Sequence, residues 1–159
     1  MCITYLFPVF GKYGMKDNIF FDTSVLVYSF DYTEHEKREL SKEYVEAVFE
    51  GKNKGIVSNQ VLAELFNVLT RHVASPLSKE VAEEIVNDFI LSEHWEKISY
   101  AHTTLRKAMQ TSKQTNVQIW DSLIAETMKE NGITRILTEN IKDFRKISGI
   151  TVINPFNRV

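Results

Sequence analysis

A single cysteine, Cys2, stands among 159 residues. That excludes an internal disulfide framework and suits a reducing cytoplasm. The four histidines, His35, His72, His94 and His102, have no HExxH or similar zinc spacing and read as scattered surface residues. No P-loop and no GxGxxG motif occurs, so no phosphate-cradling glycine loop is in view. Proline, glycine and serine gather into no linker, and there is no repeat or low-complexity segment. The formal net charge of -2 lacks the basic footprint usual for a nucleic-acid binder. A local basic patch or a bound cation could still offset phosphates. No apolar run is long enough to span a membrane. The opening MCITYLFPVFGKYG is apolar, but Pro8 interrupts it and its first lysine is Lys12, unlike a signal peptide. A fresh, well-patterned start follows at Met15. We therefore expect residues 1–15 to be a short extension, of which 1–14 are dispensable, and 16–159 to form one domain.

What is present is an ordinary globular composition, 43% hydrophobic and 25% charged. Ile19 to Phe21 reads as a buried strand and Ser24 to Phe30 as a short helix. Thr33 with Glu36 suggests a capping box for a helix that stops at Gly51. Lys54 to Val57 reads as a strand, and Ser58 as the cap of a helix over Asn59 to Val73. Ser78 opens a further helix. Lys97 to Ser99 suggests a small strand, and residues 101–113 a polar helix. Val117 to Glu130 reads as an amphipathic helix closed by Asn131-Gly132. Arg135 to Leu137 and Thr151 to Ile153 complete the strands. Short apolar strands alternating with helices predict an α/β/α sandwich with a central parallel sheet.

Asp22 lies between two apolar runs in NIFFDTSVLVYSFD, where a carboxylate is costly to bury unpaired. Glu64 lies on or beside the packing stripe Val61, Leu65, Val68 of NQVLAELFNVLTR. Asp121 shares a helix face with Ile124, Ala125 and Met128, near the helix start. Singly, each also reads as a first-turn or snorkelling acid. Together, three acids from three elements can meet at the carboxyl end of a parallel sheet. In LTENIKDF, alternation would turn Thr138 and Asn140 one way and Glu139 the other if the strand extends this far. Asp143 follows in a turn that could return over the strand end. Clustered carboxylates repel unless a cation joins them. Oxygen ligands suit Mg2+ or Mn2+.

FFDTSVLVYSFD resembles the opening motif of PIN-domain proteins. VLAELFNVLTR resembles their second motif, and IWDSLIAETMKENGITRILTENIKDF the third and fourth. ITVINPF is similar to the last strand of VapC-type PIN toxins. The resemblance spans about Lys16 to Phe156. It implies a PIN-like α/β/α fold and Mg2+- or Mn2+-dependent endoribonuclease activity. It also implies frequent homodimers and, in VapC-type members, a small antitoxin partner. It makes Asp22, Glu64 and Asp121 metal-binding catalytic acids, with Thr23 or Ser24 in support. Some relatives carry Asp where Asn140 stands, others an acid three positions later. We expect Asp143 to be the fourth acid, with Asn140 a neutral oxygen donor. Arg71, Lys142, Arg145 and Lys146 form the expected basic rim for RNA phosphates. Two alternatives are a PIN-like RNA-binding module with weak or lost catalysis and an unrelated α/β phosphotransfer protein. The second would need an acceptor Asp with partner Lys and Thr, a set not found.

Overall fold

A computed structural model of the chain describes residues 18–157. The expected extension, residues 1–15, lies outside them. Five parallel strands form one sheet: β1 (Ile19–Phe21), β2 (Gly55–Ser58), β3 (Trp95–Ile98), β4 (Arg135–Leu137) and β5 (Thr151–Ile153), in the order β3-β2-β1-β4-β5. The helices are α1 (Thr23–Tyr28), α2 (His35–Phe49), α3 (Asn59–Arg71), α4 (Lys79–Leu91), α5 (His102–Thr115), α6 (Ile119–Glu130) and α7 (Ile141–Phe144). From β1 the chain steps outward to β2 and β3, then crosses back to β4 and β5 on the other side. Right-handed crossovers therefore put the first helices and the later ones on opposite faces. The helix contacts agree: α1 meets α2 and α3, α3 meets α4, and α5 meets α6. The strand order reverses between β1 and β4, the position where doubly wound sheets open a crevice.

All three residues of β1 are buried, as a central strand covered on both faces requires. Phe21, Phe49, Phe89 and Trp95 form an edge-to-face aromatic cluster, with ring centroids 4.9 Å apart for Phe21–Trp95 and for Phe89–Trp95. Gly55 pairs in register with Trp95, and a Cβ at Gly55 would stand 2.5 Å from the indole. Glycine is thus required there by close approach.

Ser58 and Ser78 cap α3 and α4 as expected, accepting from Val61 N and Val81 N. Gly132 follows α6 with φ of +69°, the left-handed position that favours glycine. The expected capping box at Thr33 does not form. Asp31 Oδ1 instead accepts from both the backbone N and the hydroxyl of Thr33, and α2 begins at His35. A local side-chain turn has outcompeted the cap. Strand β3 starts two residues earlier than its expected position, at Trp95.

Candidate active site

Asp22 ends β1 and N-caps α1, and it is buried. Its Oδ1 accepts from Thr23 N at 2.8 Å. Its Oδ2 accepts from Ser24 Oγ at 2.9 Å and from Thr138 Oγ1 at 2.6 Å. Thr138 follows β4, so this bond spans the switch point. Burial nevertheless holds the Asp22 carboxyl above its ordinary range, with Glu64 adding to it and the three hydrogen bonds opposing.

Glu64 projects from α3 toward the same region. Its Oε2 accepts from Thr23 Oγ1 and its Oε1 from Gln60 Nε2, each at 2.8 Å. Thr23 and Ser24 thus both serve, one on each acid. Asp121 comes from the first turn of α6. Its carboxyl is pushed up to about 6, first by burial and then by the charges of Asp22, Asp143 and Glu64. Asn140 Nδ2 donates to Asp121 Oδ2 at 2.9 Å and opposes the shift.

Asn140 also caps α7, where its Oδ1 accepts from Asp143 N at 3.3 Å. Asp143 is paired with Lys146 at 2.8 Å, which holds its carboxyl below the ordinary range. Glu139 turns away, but not through strand alternation, because β4 has already ended at Leu137. It accepts from Tyr28 Oη at 2.6 Å and from Lys37 Nζ at 2.5 Å. Lys142 and Arg145 are exposed beside Asp143. Arg71 closes α3 two turns beyond Glu64, roughly 10 Å along the axis.

Two polar residues escape sequence reasoning in these roles. Thr138 is completely buried and locks the end of β4 onto Asp22. Gln60 bridges Glu64 to the carbonyl of Trp120, to which its Nε2 also donates at 3.1 Å. Only their place in NQVLAELF and LTENIKDF, next to the acids, hinted at them.

The neighbouring acids add to the raised carboxyls of Asp22 and Asp121, whereas Asp143 is held down by Lys146. Yet among the described residues no three stand as a closed ligand cluster. The donors are all oxygen, and Lys146 beside Asp143 is the one cation paired with any of the four acids in the described contacts. In donor chemistry and in charge the set fits a hard divalent cation such as Mg2+ or Mn2+. Among the described residues no helix is long and apolar enough to cross a membrane.

A model of the PIN domain family matches residues 19–150. Solved structures share the fold. VapBC2 of Rickettsia felis, bound to a promoter DNA fragment, is 20% identical, with a TM-score of 0.62 over 86% of this chain and 98% of that one. FitAcB of Neisseria gonorrhoeae is 18% identical, with a TM-score of 0.62 over 88% and 99%. VapC20 of Mycobacterium tuberculosis, a toxin that cleaves the sarcin-ricin loop, is 17% identical, with a TM-score of 0.61 over 78% and 91%. No protein of curated function matches the sequence. The family match covers most of the chain, including Asp22, Glu64 and Asp121: the chain belongs to the PIN-domain family.

Proposed function

We propose that the chain is a Mg2+- or Mn2+-dependent endoribonuclease, the toxin of a toxin–antitoxin pair. The observation that carries this is the mutual crowding of Asp22, Glu64, Asp121 and Asp143 at the sheet's switch point, with Asp121 pushed up to about 6. Asp22 and Asp121 resist ionisation because burial and the neighbouring acids oppose it, and a cation is the partner that would offset both. Asp22, Glu64, Asp121 and Asp143 would hold the ion; Asn140 turns its amide nitrogen to the acids and would add its oxygen only by releasing Asp143 N. When bound, the ion supplies Lewis-acid polarisation of a phosphate and acidifies water.

The chain's own residues do the rest. Thr23, Ser24 and Thr138 hold the Asp22 carboxylate at a fixed angle. Thr23 and Gln60 fix both oxygens of Glu64. Asn140 holds one oxygen of Asp121 and leaves the other without a described donor. Lys142 and Arg145, with Arg71 farther off, offer positive charge to the RNA backbone. One similar structure is described as a toxin–antitoxin complex and another as a toxin, which favours a small antitoxin partner. A homodimer acting in the cytoplasm completes the proposal.

Incubation of the purified protein with labelled single-stranded RNA tests it. Cleavage should appear with Mn2+ and vanish in EDTA. Asn140, in place of a carboxylate, favours a second reading: an RNA-binding module with weak or no catalysis. Such a module would bind RNA, leave it uncut, and gain little thermal stability from Mn2+.

A further inference from the structure

An open cleft of about 610 Å³ adjoins Glu64. That size lies within the range of small-ligand sites, about 300–1,000 Å³. Trp120 lines it and is 58% exposed, an unusual position for so large an apolar ring. Tyr100 lines it too and is also exposed. The other lining comes from α3. Asn59, Ala63 and Asn67 stand at i, i+4 and i+8, one row along the helix, and all are exposed. Two amides thus flank a small methyl floor. Gln60 donates at once to Glu64 Oε1 and to the Trp120 carbonyl, so the indole's backbone is tied to the acid.

Among the described residues of the lining, Glu64 is the only charged one. A phosphate would be repelled there, and a neutral group would not. The cleft offers π-faces for stacking and amides whose donors and acceptors suit the edge of a heterocycle. It also lies beside the acids proposed to hold the scissile phosphate. Bases are attached one sugar away from phosphates. We infer that the cleft seats one unpaired base of the RNA, stacked on Trp120 and edged by Asn59 and Asn67. This deepens, and rests on, the endoribonuclease reading: the substrate is single-stranded at the cleavage site. Aromatic stacking of splayed bases is how proteins generally engage single-stranded RNA.

The test is binding without turnover. A fluorescein-labelled short single-stranded RNA and an abasic strand of equal length are titrated with the protein in EDTA, followed by anisotropy. Trp120→Ala should weaken binding of the RNA about tenfold, the loss of one stacked base. Trp120→Phe should restore most of it. Ala63→Leu, on an exposed helix position, should fill the cleft and weaken RNA binding similarly while all the aromatic residues remain. The abasic strand should bind all four proteins equally and weakly. The inference is overturned if Trp120→Ala binds RNA as the wild type does. Equal binding of RNA and abasic strand by the wild type, or no measurable RNA binding, overturns it too. So does a Trp120→Ala protein whose only change is loss of self-association or of a protein complex. Trp120-dependent RNA binding by a wild type that cuts nothing in Mn2+ would overturn the nuclease reading and keep the cleft. Mn2+-dependent cleavage with indifference to Trp120 would do the reverse.

Discussion

Asp121 links the site's charge to the stability of the fold. Its carboxyl is raised from 3.8 to about 6 in the folded chain. The folded state therefore binds more protons than the unfolded state between those values, and stability falls as pH rises through them. The full shift would be worth about 1.4 kcal/mol per unit, but partial exposure reduces it to roughly 1–2 kcal/mol. Asp121→Asn should remove this penalty. In EDTA its melting temperature should match the wild type at pH 4 and exceed it at pH 7. A mutant that melts lower at pH 7 would contradict the assignment. Metal affinity should carry the opposite sign, rising as pH passes about 6, because the ion needs the ionised carboxylate. Asp143 and Glu139 separate by their partners. Asp143 shares Asn140 with Asp121, whereas Glu139 is occupied by Tyr28 and Lys37. Asp143→Asn should weaken Mn2+ binding in calorimetry and slow cleavage. Its apo stability should stay within about 1 kcal/mol, since an exposed ion pair with Lys146 is lost while repulsion of Asp121 is relieved. Glu139→Gln should leave Mn2+ affinity unchanged. The reverse pattern would move the fourth acid to Glu139.

At the scale of elements, the ends of β1 and β4 are joined through Thr138. Its hydroxyl donates to Asp22 and accepts from Asn140 N at 3.0 Å. Thr138→Val keeps the shape and removes both bonds. It should cost about 1–3 kcal/mol, read by urea unfolding, because a buried carboxylate loses a donor. Unchanged stability would show that Thr138 does not support Asp22. Between β2 and β3, Gly55→Ala forces a methyl against the Trp95 ring. A cost of about 1–3 kcal/mol is expected in the same assay. These couplings mark where sequence reading stops. Strands β1, β4 and β5 are legible to the residue because each is a short apolar triplet or edge run bounded by polar residues. Strand β3 is not, because its ends are buried and its middle exposed, with no alternation. The start of α2 is masked by Asp31, which captures Thr33. The acids stand out because a charge in an apolar stripe is conspicuous. Thr138 and Gln60 do not, because their partners lie 116 and 60 residues away along the chain. Uncharged polar side chains disclose no such distant partner.

Over the whole molecule, the strand order reverses between β1 and β4, and acids from the end of β1, α3, α6 and α7 gather on that side. The net charge of -2 gives no long-range attraction for RNA. On the proposed reading attraction is local, from Lys142, Arg145 and the ion that the acids would hold. RNA binding should accordingly tighten when Mn2+ is added, above the level measured in EDTA. The most direct measurement is cleavage of a labelled single-stranded RNA by wild type and Asp121→Asn side by side, with Mn2+ and with EDTA. Circular dichroism should show both proteins folded. Wild-type cleavage should require Mn2+, and Asp121→Asn should be slower by about 10²-fold or more, as when a main electrostatic stabiliser is removed. A folded Asp121→Asn protein that cuts at the wild-type rate, with the same metal dependence, would contradict the site.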